Sequence, residues 1–215
     1  MLVVGFAVTG QAVAAALRGT ATELVALDDA APGGTRGAAL AAAAERLGVE
    51  LFGAPTEEHV AQLVSTADLV VLSPGIPPGH PVFRHAAPQR LVAEIELGAE
   101  MANRAGLRLV GVTGTNGKST VTSLVTEMLK ASGTAAVAAG NIGRPLVEVA
   151  SQALASKAGG PGALGPEAAV PGVAVAEVSS FQLAWTRWFH PTVACWLNFA
   201  PDHLDWHADL GDYAA

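Results

Sequence analysis

The sequence is short of charge, of cysteine and of long apolar runs, and each shortage excludes something. Charged residues make up only 14% of the 215 residues, and 12 Lys and Arg stand against 19 Asp and Glu, for a formal net charge of −7. No Lys/Arg cluster occurs along the chain. Nucleic-acid binding needs a basic face to neutralise phosphates, so no nucleic-acid partner is expected. The single cysteine, Cys195, cannot form an internal disulfide, which fits a reducing compartment. Its apolar setting in "PTVACWLNFA" suits an inert core thiol better than a nucleophile. No uninterrupted apolar stretch reaches the length of a membrane span. The opening "MLVVGFAVTGQAVAAALRG" lacks a basic residue ahead of its apolar part and is broken by Gly5, Thr9, Gly10 and Gln11, unlike a signal peptide. The expectation is a cytoplasmic protein without a membrane span, with a monomer as the default.

What is present is apolar material, 51% of the chain, enough to bury a real core in one large or two small domains. Two halves emerge, each opening with a short apolar strand that runs into a glycine turn. In the first, Leu2–Val4 leads into "GFAVTG" and an Ala-rich helical run. The strand "ELVALDD", helical segments and the buried strand of "ADLVVLSPGIPPGHP" follow. "LVAEIELGAEMANRAG" has the apolar spacing of a connecting helix. The second half restarts with "LRLVGVTGTNGKSTVTSLVTEMLKASG". It continues into "GVAVAEVSS" and "PTVACWLNFA", near-continuous apolar runs expected to be strands covered on both faces. "SKAGGPGALGPEAAVPG" reads as an exposed low-complexity insertion, within a stretch, 151–172, whose role the sequence leaves open. Alternating strands and helices imply parallel sheets with right-handed crossovers. The expected fold is α/β, a Rossmann-like domain over residues 1–92 followed by a P-loop ATPase-type domain over 93–215.

The chain also lacks a strict P-loop. G-x-x-x-x-G-K-[ST] would need glycine at position 112, which is Val, while the nearest glycines are Gly111 and Gly114. Strand, turn, lysine, hydroxyl and helix are nonetheless in order. In this reading the backbone from Gly114 through Thr115, Asn116, Gly117, Lys118, Ser119 and Thr120 faces phosphates at a helix N-terminus. Lys118 neutralises the β- and γ-phosphates, and a hydroxyl of Ser119 or Thr120 reaches Mg²⁺. The alternative is a structural turn with a solvated lysine. Glu177 closes "GVAVAEV" at the carboxyl edge of the sheet, where it is either a metal-holding carboxylate or a solvated strand end. His203 and His207 lie four apart among Asp202 and Asp205, a spacing compatible with zinc but without a third ligand or glutamate base. Mg²⁺ or Mn²⁺ beside a phosphate suits His203 better, with surface histidines as the alternative. In "GFAVTG", Ala7 replaces the middle glycine of a dinucleotide fingerprint, weakening an NAD or FAD reading. Asp28 is left as either a nucleotide acceptor or an ordinary capping residue.

"GTNGKST", "GNIGRPL", "EVSSFQL" and "LNFAPDHLD", in this order, resemble the Mur ligases, the ATP-dependent amide ligases of peptidoglycan synthesis. "GFAVTG", "SPGIPPGHP" and "EIELG" are similar to the D-glutamate-adding branch. The resemblance implies ATP and Mg²⁺, with UDP-N-acetylmuramoyl-L-alanine and D-glutamate as substrates. It implies that Thr9, Gly10, Asp28, Ser73, Gly75, Asn141, Ser179 and Gln182 hold the UDP-substrate. It further implies Lys118, Glu177 and His203 in the catalytic centre, with Ser119, Glu177 and His203 at the metals. Members of the family continue into a carbamylated lysine and a C-terminal domain that binds D-glutamate. Neither occurs within these 215 residues, so the expectation is a chain inactive in ligation by itself. Another P-loop NTPase or kinase, an NAD-dependent oxidoreductase and a non-catalytic UDP-sugar-binding fragment are the competing readings.

Overall fold

A computed structural model describes residues 1–20, 23–159 and 171–214. It divides into two compact units, Met1–Glu94 and Ile95–Ala215.

The first unit alternates β1 (Leu2–Val4), α1 (Val8–Leu17), β2 (Val25–Asp28), α2 (Thr35–Leu47), β3 (Glu50–Gly53), α3 (Glu57–Thr66), β4 (Val70–Leu72), α4 (Val82–His85) and β5 (Leu91–Ala93). The sheet order is β3-β2-β1-β4-β5, every pairing parallel, so the order reverses between β1 and β4. Open sheets of this kind form their ligand crevice at such a reversal, outside the carboxyl ends of the strands. Leu2, Val3 and Val4 are buried, with β2 on one side and β4 on the other, so the central strand needs apolar side chains on both faces. Local signals delimit the helices. Gly48 takes a left-handed conformation to end α2, and the Thr56 hydroxyl accepts from His59 N at 3.3 Å to start α3.

The second unit runs α5 (Glu94–Ala105, opening on the last residue of the first unit), β6 (Arg108–Thr113), α6 (Lys118–Ala131), β7 (Ala136–Gly140), α7 (Leu146–Ala158), β8 (Val173–Glu177), α8 (Ser180–Leu183), β9 (Val193–Trp196) and α9 (Leu210–Ala214). Its parallel sheet has the order β7-β8-β6-β9. Buried Val112, Val173 and Val175 form the centre of one core, against which Val121, Val125 and Leu129 of α6 pack.

The fold is the expected α/β class, with three local corrections. Leu91–Ala93 is not part of a connecting helix but a strand paired with β4, Val71 opposite Val92, and the helix starts at Glu94. β9 is not covered on both faces: it lies at the sheet edge, with Val193 53% and Trp196 66% exposed. Cys195 on it is half-buried against the core cluster. The insertion begins later than its composition suggests, because α7 continues to Ala158 and Gly159 caps it in a left-handed conformation. Residues 160–170 of that insertion lie outside the described residues.

Candidate functional site

In the first unit, the turn after β1 meets the loop after β4. The Ser73 hydroxyl donates to Gly5 O at 2.7 Å and Ser73 N to Val4 O at 3.0 Å. Thr9 and Gly10 lie inside α1, and Gly75 has a φ of 89° in the loop. Asp28, 3% exposed, is already committed: its carboxylate accepts from Phe6 N at 2.8 Å and Ala30 N at 3.0 Å, with Arg36 at 3.3 Å. Its neighbour Asp29 pairs instead with buried His80, at 3.3 Å. His80 Nδ1 accepts from Val82 N at 3.1 Å, so Nε2 carries the proton donated to Asp29. His80 was not singled out from sequence; the "GHP" turn that buries it was the only signal.

The second unit gathers its polar groups at the carboxyl edge of β7, β8 and β6. Glu177 ends β8 opposite Val112 of β6 and Gly140 of β7. Its side chain is only 2% exposed. Oε2 accepts from the Ser119 hydroxyl at 2.6 Å, and Oε1 accepts from Asn141 Nδ2 at 2.9 Å. Asn141 N also donates to Glu177 O at 2.9 Å. Gly140 permits this packing, since a Cβ there would stand 2.3 Å from Glu177 O. Both side-chain partners of the carboxylate are neutral. A buried carboxylate held only by neutral donors is costly, and a cation at that point relieves it. Hydroxyl and carboxylate oxygens are the donor set of a hard divalent ion, so the residues fit Mg²⁺.

Beside this group, α6 begins at Lys118 after Gly117, whose φ is 85°. Val121 N reaches Gly117 O at 3.0 Å, so the N–H groups of Lys118, Ser119 and Thr120 are the unpaired donors of the helix start. With the positive end of the helix dipole, they suit an anion. Lys118 Nζ folds over the turn, donating to Gly114 O at 2.7 Å and Thr115 O at 2.9 Å. A cleft of about 610 Å³ opens on this side, lined by Lys118, Thr115, Asn198, Ser179, His203 and Tyr213 among others.

Ser179 and Gln182 form a capping box at the start of α8. Gln182 Oε1 accepts from Ser179 N at 3.0 Å, while buried Gln182 Nε2 has no hydrogen-bond partner among the described residues. His203 has a φ of 54°, and its ring lies 4.8 Å from that of Phe181, tilted by 59°. Buried His207 contacts the same ring and pairs through Nδ1 with Asp212 at 3.3 Å, leaving its Nε2 without a partner among the described residues. Lys118, Ser119, Glu177 and Asn141 are thus brought together, whereas no contact joins His203 to Glu177 among the described residues. No group of His, Cys, Asp or Glu large enough to make a metal site by itself occurs among the described residues. An ion here would therefore draw on a hydroxyl and on its ligand's phosphates.

A strand–turn–helix with free N–H groups, a lysine and a buried carboxylate on the adjacent strand defines the class, a nucleotide-binding α/β protein of the P-loop kind. Comparison with known proteins narrows it: residues 112–215 match the Mur ligase middle domain, and the chain belongs to the Mur ligase family. It is 37% identical over its whole length to a UDP-N-acetylmuramoylalanine–D-glutamate ligase of Frankia casuarinae, of which it covers 41%. Across 68% of the chain it is 44% identical to the enzyme of that name from Corynebacterium jeikeium, covering 28% of it. The chain therefore spans less than half the length of these relatives. In fold it is similar to a UDP-N-acetylmuramate:L-alanyl-gamma-D-glutamyl-meso-diaminopimelate ligase from Neisseria meningitides, at a TM-score of 0.51 and 19% identity, covering 99% of this chain and 64% of that one. No helix among the described residues is long and apolar enough to cross a membrane.

Proposed function

We propose that the chain carries the nucleotide-handling portion of an ATP-dependent ligase that joins D-glutamate to UDP-N-acetylmuramoyl-L-alanine. The observation that carries this reading is the Ser119–Glu177–Asn141 group, with Glu177 2% exposed and its oxygens 2.6 and 2.9 Å from its partners. In the reaction, a carboxylate oxygen of the UDP-substrate attacks the γ-phosphorus of ATP and ADP leaves. The amine of D-glutamate then attacks the acyl carbon, the C–O bond breaks, phosphate departs and the amine loses a proton. The work of the protein is positioning and charge neutralisation. Lys118 turns from the loop carbonyls to the phosphates, and the N–H groups of Lys118, Ser119 and Thr120 cradle them. Ser119 and Glu177 would hold a Mg²⁺ ion, with His203 as the candidate for a second ion. When bound, the ion at Ser119 and Glu177 would neutralise charge at the γ-phosphate. The loops of the first unit, with Ser73, Gly75 and the α1 start, receive the uridine diphosphate part.

Calorimetric titration of the 215-residue chain tests this. ATP binding is expected in the presence of Mg²⁺ and weaker by about tenfold or more in EDTA, and Glu177→Gln is expected to remove that difference. Binding of UDP-N-acetylmuramoyl-L-alanine is expected; tight binding of NAD with none of ATP would sink the ligase reading.

A further inference from the structure

The phosphate loop is joined to the segment after β9 by a contact that the catalytic reading does not use. Asn198 sits two residues beyond β9 and aligns its side-chain amide with the Asn116 peptide. Its Oδ1 accepts from Asn116 N at 2.9 Å, and its Nδ2 donates to Asn116 O at 2.9 Å. The main chain adds to the seam: Thr115 N donates to Asn198 O at 3.1 Å, and Leu197 N donates to Thr113 O at 3.0 Å. The Thr115 hydroxyl accepts from Ala200 N at 3.0 Å. These bonds extend the β6–β9 pairing past the ends of both strands, with a side chain replacing a strand at its far end.

This seam gives a physical reason for the displaced glycine. At position 112, where a strict pattern wants glycine, Val112 is fully buried in the core. The close approach occurs at Gly114 instead. A Cβ there would stand 3.1 Å from Asn198 N, Asn198 O and Leu197 Cβ, and its φ of 140° disfavours a side chain in any case. The Asn116 peptide then lies between two glycines of positive φ, Gly114 and Gly117, and would be loose if nothing held it.

We infer that Asn198 is a positioning residue for the nucleotide site. It fixes the Asn116 peptide so that the N–H groups after it are aimed before ligand arrives. Because Asn198 occupies the Asn116 N–H, the phosphate cradle begins beyond it, at the N–H groups of Lys118, Ser119 and Thr120. The preorganisation removes an ordering cost that binding would otherwise carry. This rests on the ATP reading of the loop.

Site-resolved amide exchange and ATP titration of the full chain, with wild type, Asn198→Ala and the bulk-retaining Asn198→Leu, test it. In wild type, Asn116 N–H is expected to be protected without nucleotide, and the amides of Lys118, Ser119 and Thr120 to gain protection only with MgATP. In the variants, Asn116 exchanges fast, ATP affinity falls about tenfold or more, and Val121 N–H stays protected because α6 is intact. Unchanged ATP affinity in folded Asn198→Leu overturns the inference. So does an unprotected Asn116 in the wild-type chain, which needs no variant to fold. A wild-type chain with Asn116 protected but no ATP binding overturns the functional reading instead.

Discussion

Asp28 shows how a site candidate and a structural residue are told apart. Sequence leaves it open between a ribose acceptor and a cap. In the structure it accepts from Phe6 N at 2.8 Å and Ala30 N at 3.0 Å, which makes it the cap of the turn between β1 and α1 whatever else it touches. Phe6 is itself fully buried, so its N–H has no water to fall back on. Asp28→Ala is therefore expected to destabilise the first unit by about 1–3 kcal/mol, the cost of leaving a buried donor unpaired. Asp28→Asn, which keeps an acceptor oxygen, is expected to recover much of that loss. All four Trp residues lie beyond residue 180, so tryptophan fluorescence does not follow this unit. Exchange of the Phe6 amide does, and unchanged protection in Asp28→Ala would contradict the structural role. Glu177 is the opposite case: its burial beside Ser119 is a poor way to stabilise a strand end, and the pair fits the proposed cation.

Among elements, α3 and α4 of the first unit are tied by one exposed cluster. Glu57 takes Arg84 at 2.8 Å and His85 at 3.3 Å. The Arg84 hydrogen bond first, and that of His85 second, hold the Glu57 carboxyl below its ordinary value of 4.5. A carboxyl depressed in the folded state adds stability that is present above its unfolded value and disappears as pH falls through the folded one. Wild type is thus expected to lose this increment on acidification below about pH 4.5 and Glu57→Gln to lack it already, so that their unfolding midpoints converge at low pH. Being exposed, the cluster is screened, and high salt should shrink the difference. Parallel midpoints across the acid range would count against it. The elements also show what sequence could and could not yield. β1 and β8 are buried on both faces, β6 is largely so, and all three announce themselves as apolar runs. β3, β5 and β7 do not: Leu91–Ala93 merges into the helical spacing of α5, and only pairing with distant β4 makes it a strand. Likewise, the order of motifs placed Lys118, Ser119 and Glu177 on one sheet edge, but no spacing could reveal that Asn198, 82 residues from Asn116, would clasp the loop.

At the scale of the whole molecule, the proposed ligand and the protein carry charge of the same sign. The chain bears −7, and ATP is an anion, so attraction must be local, from Lys118, the start of α6 and a divalent ion. The far field opposes the encounter, and it reaches well past roughly 10 Å only when salt falls below about 0.1 M, where the screening length exceeds that distance. Nucleotide sites in basic clefts lose association rate as salt rises, because screening removes steering. Here the sign reverses. In EDTA, the association rate of ATP with the 215-residue chain is expected to rise as NaCl increases from about 20 to 200 mM, since screening first removes the long-range repulsion. Adding Mg²⁺ lowers the ligand's charge and should flatten that dependence. Stopped-flow measurement with a fluorescent ATP analogue reads both. A rate that falls with salt in EDTA would mean that a local positive field around Lys118 outweighs the net charge, and that the ion proposed at Ser119 and Glu177 is needed for geometry rather than for bringing ATP to the loop.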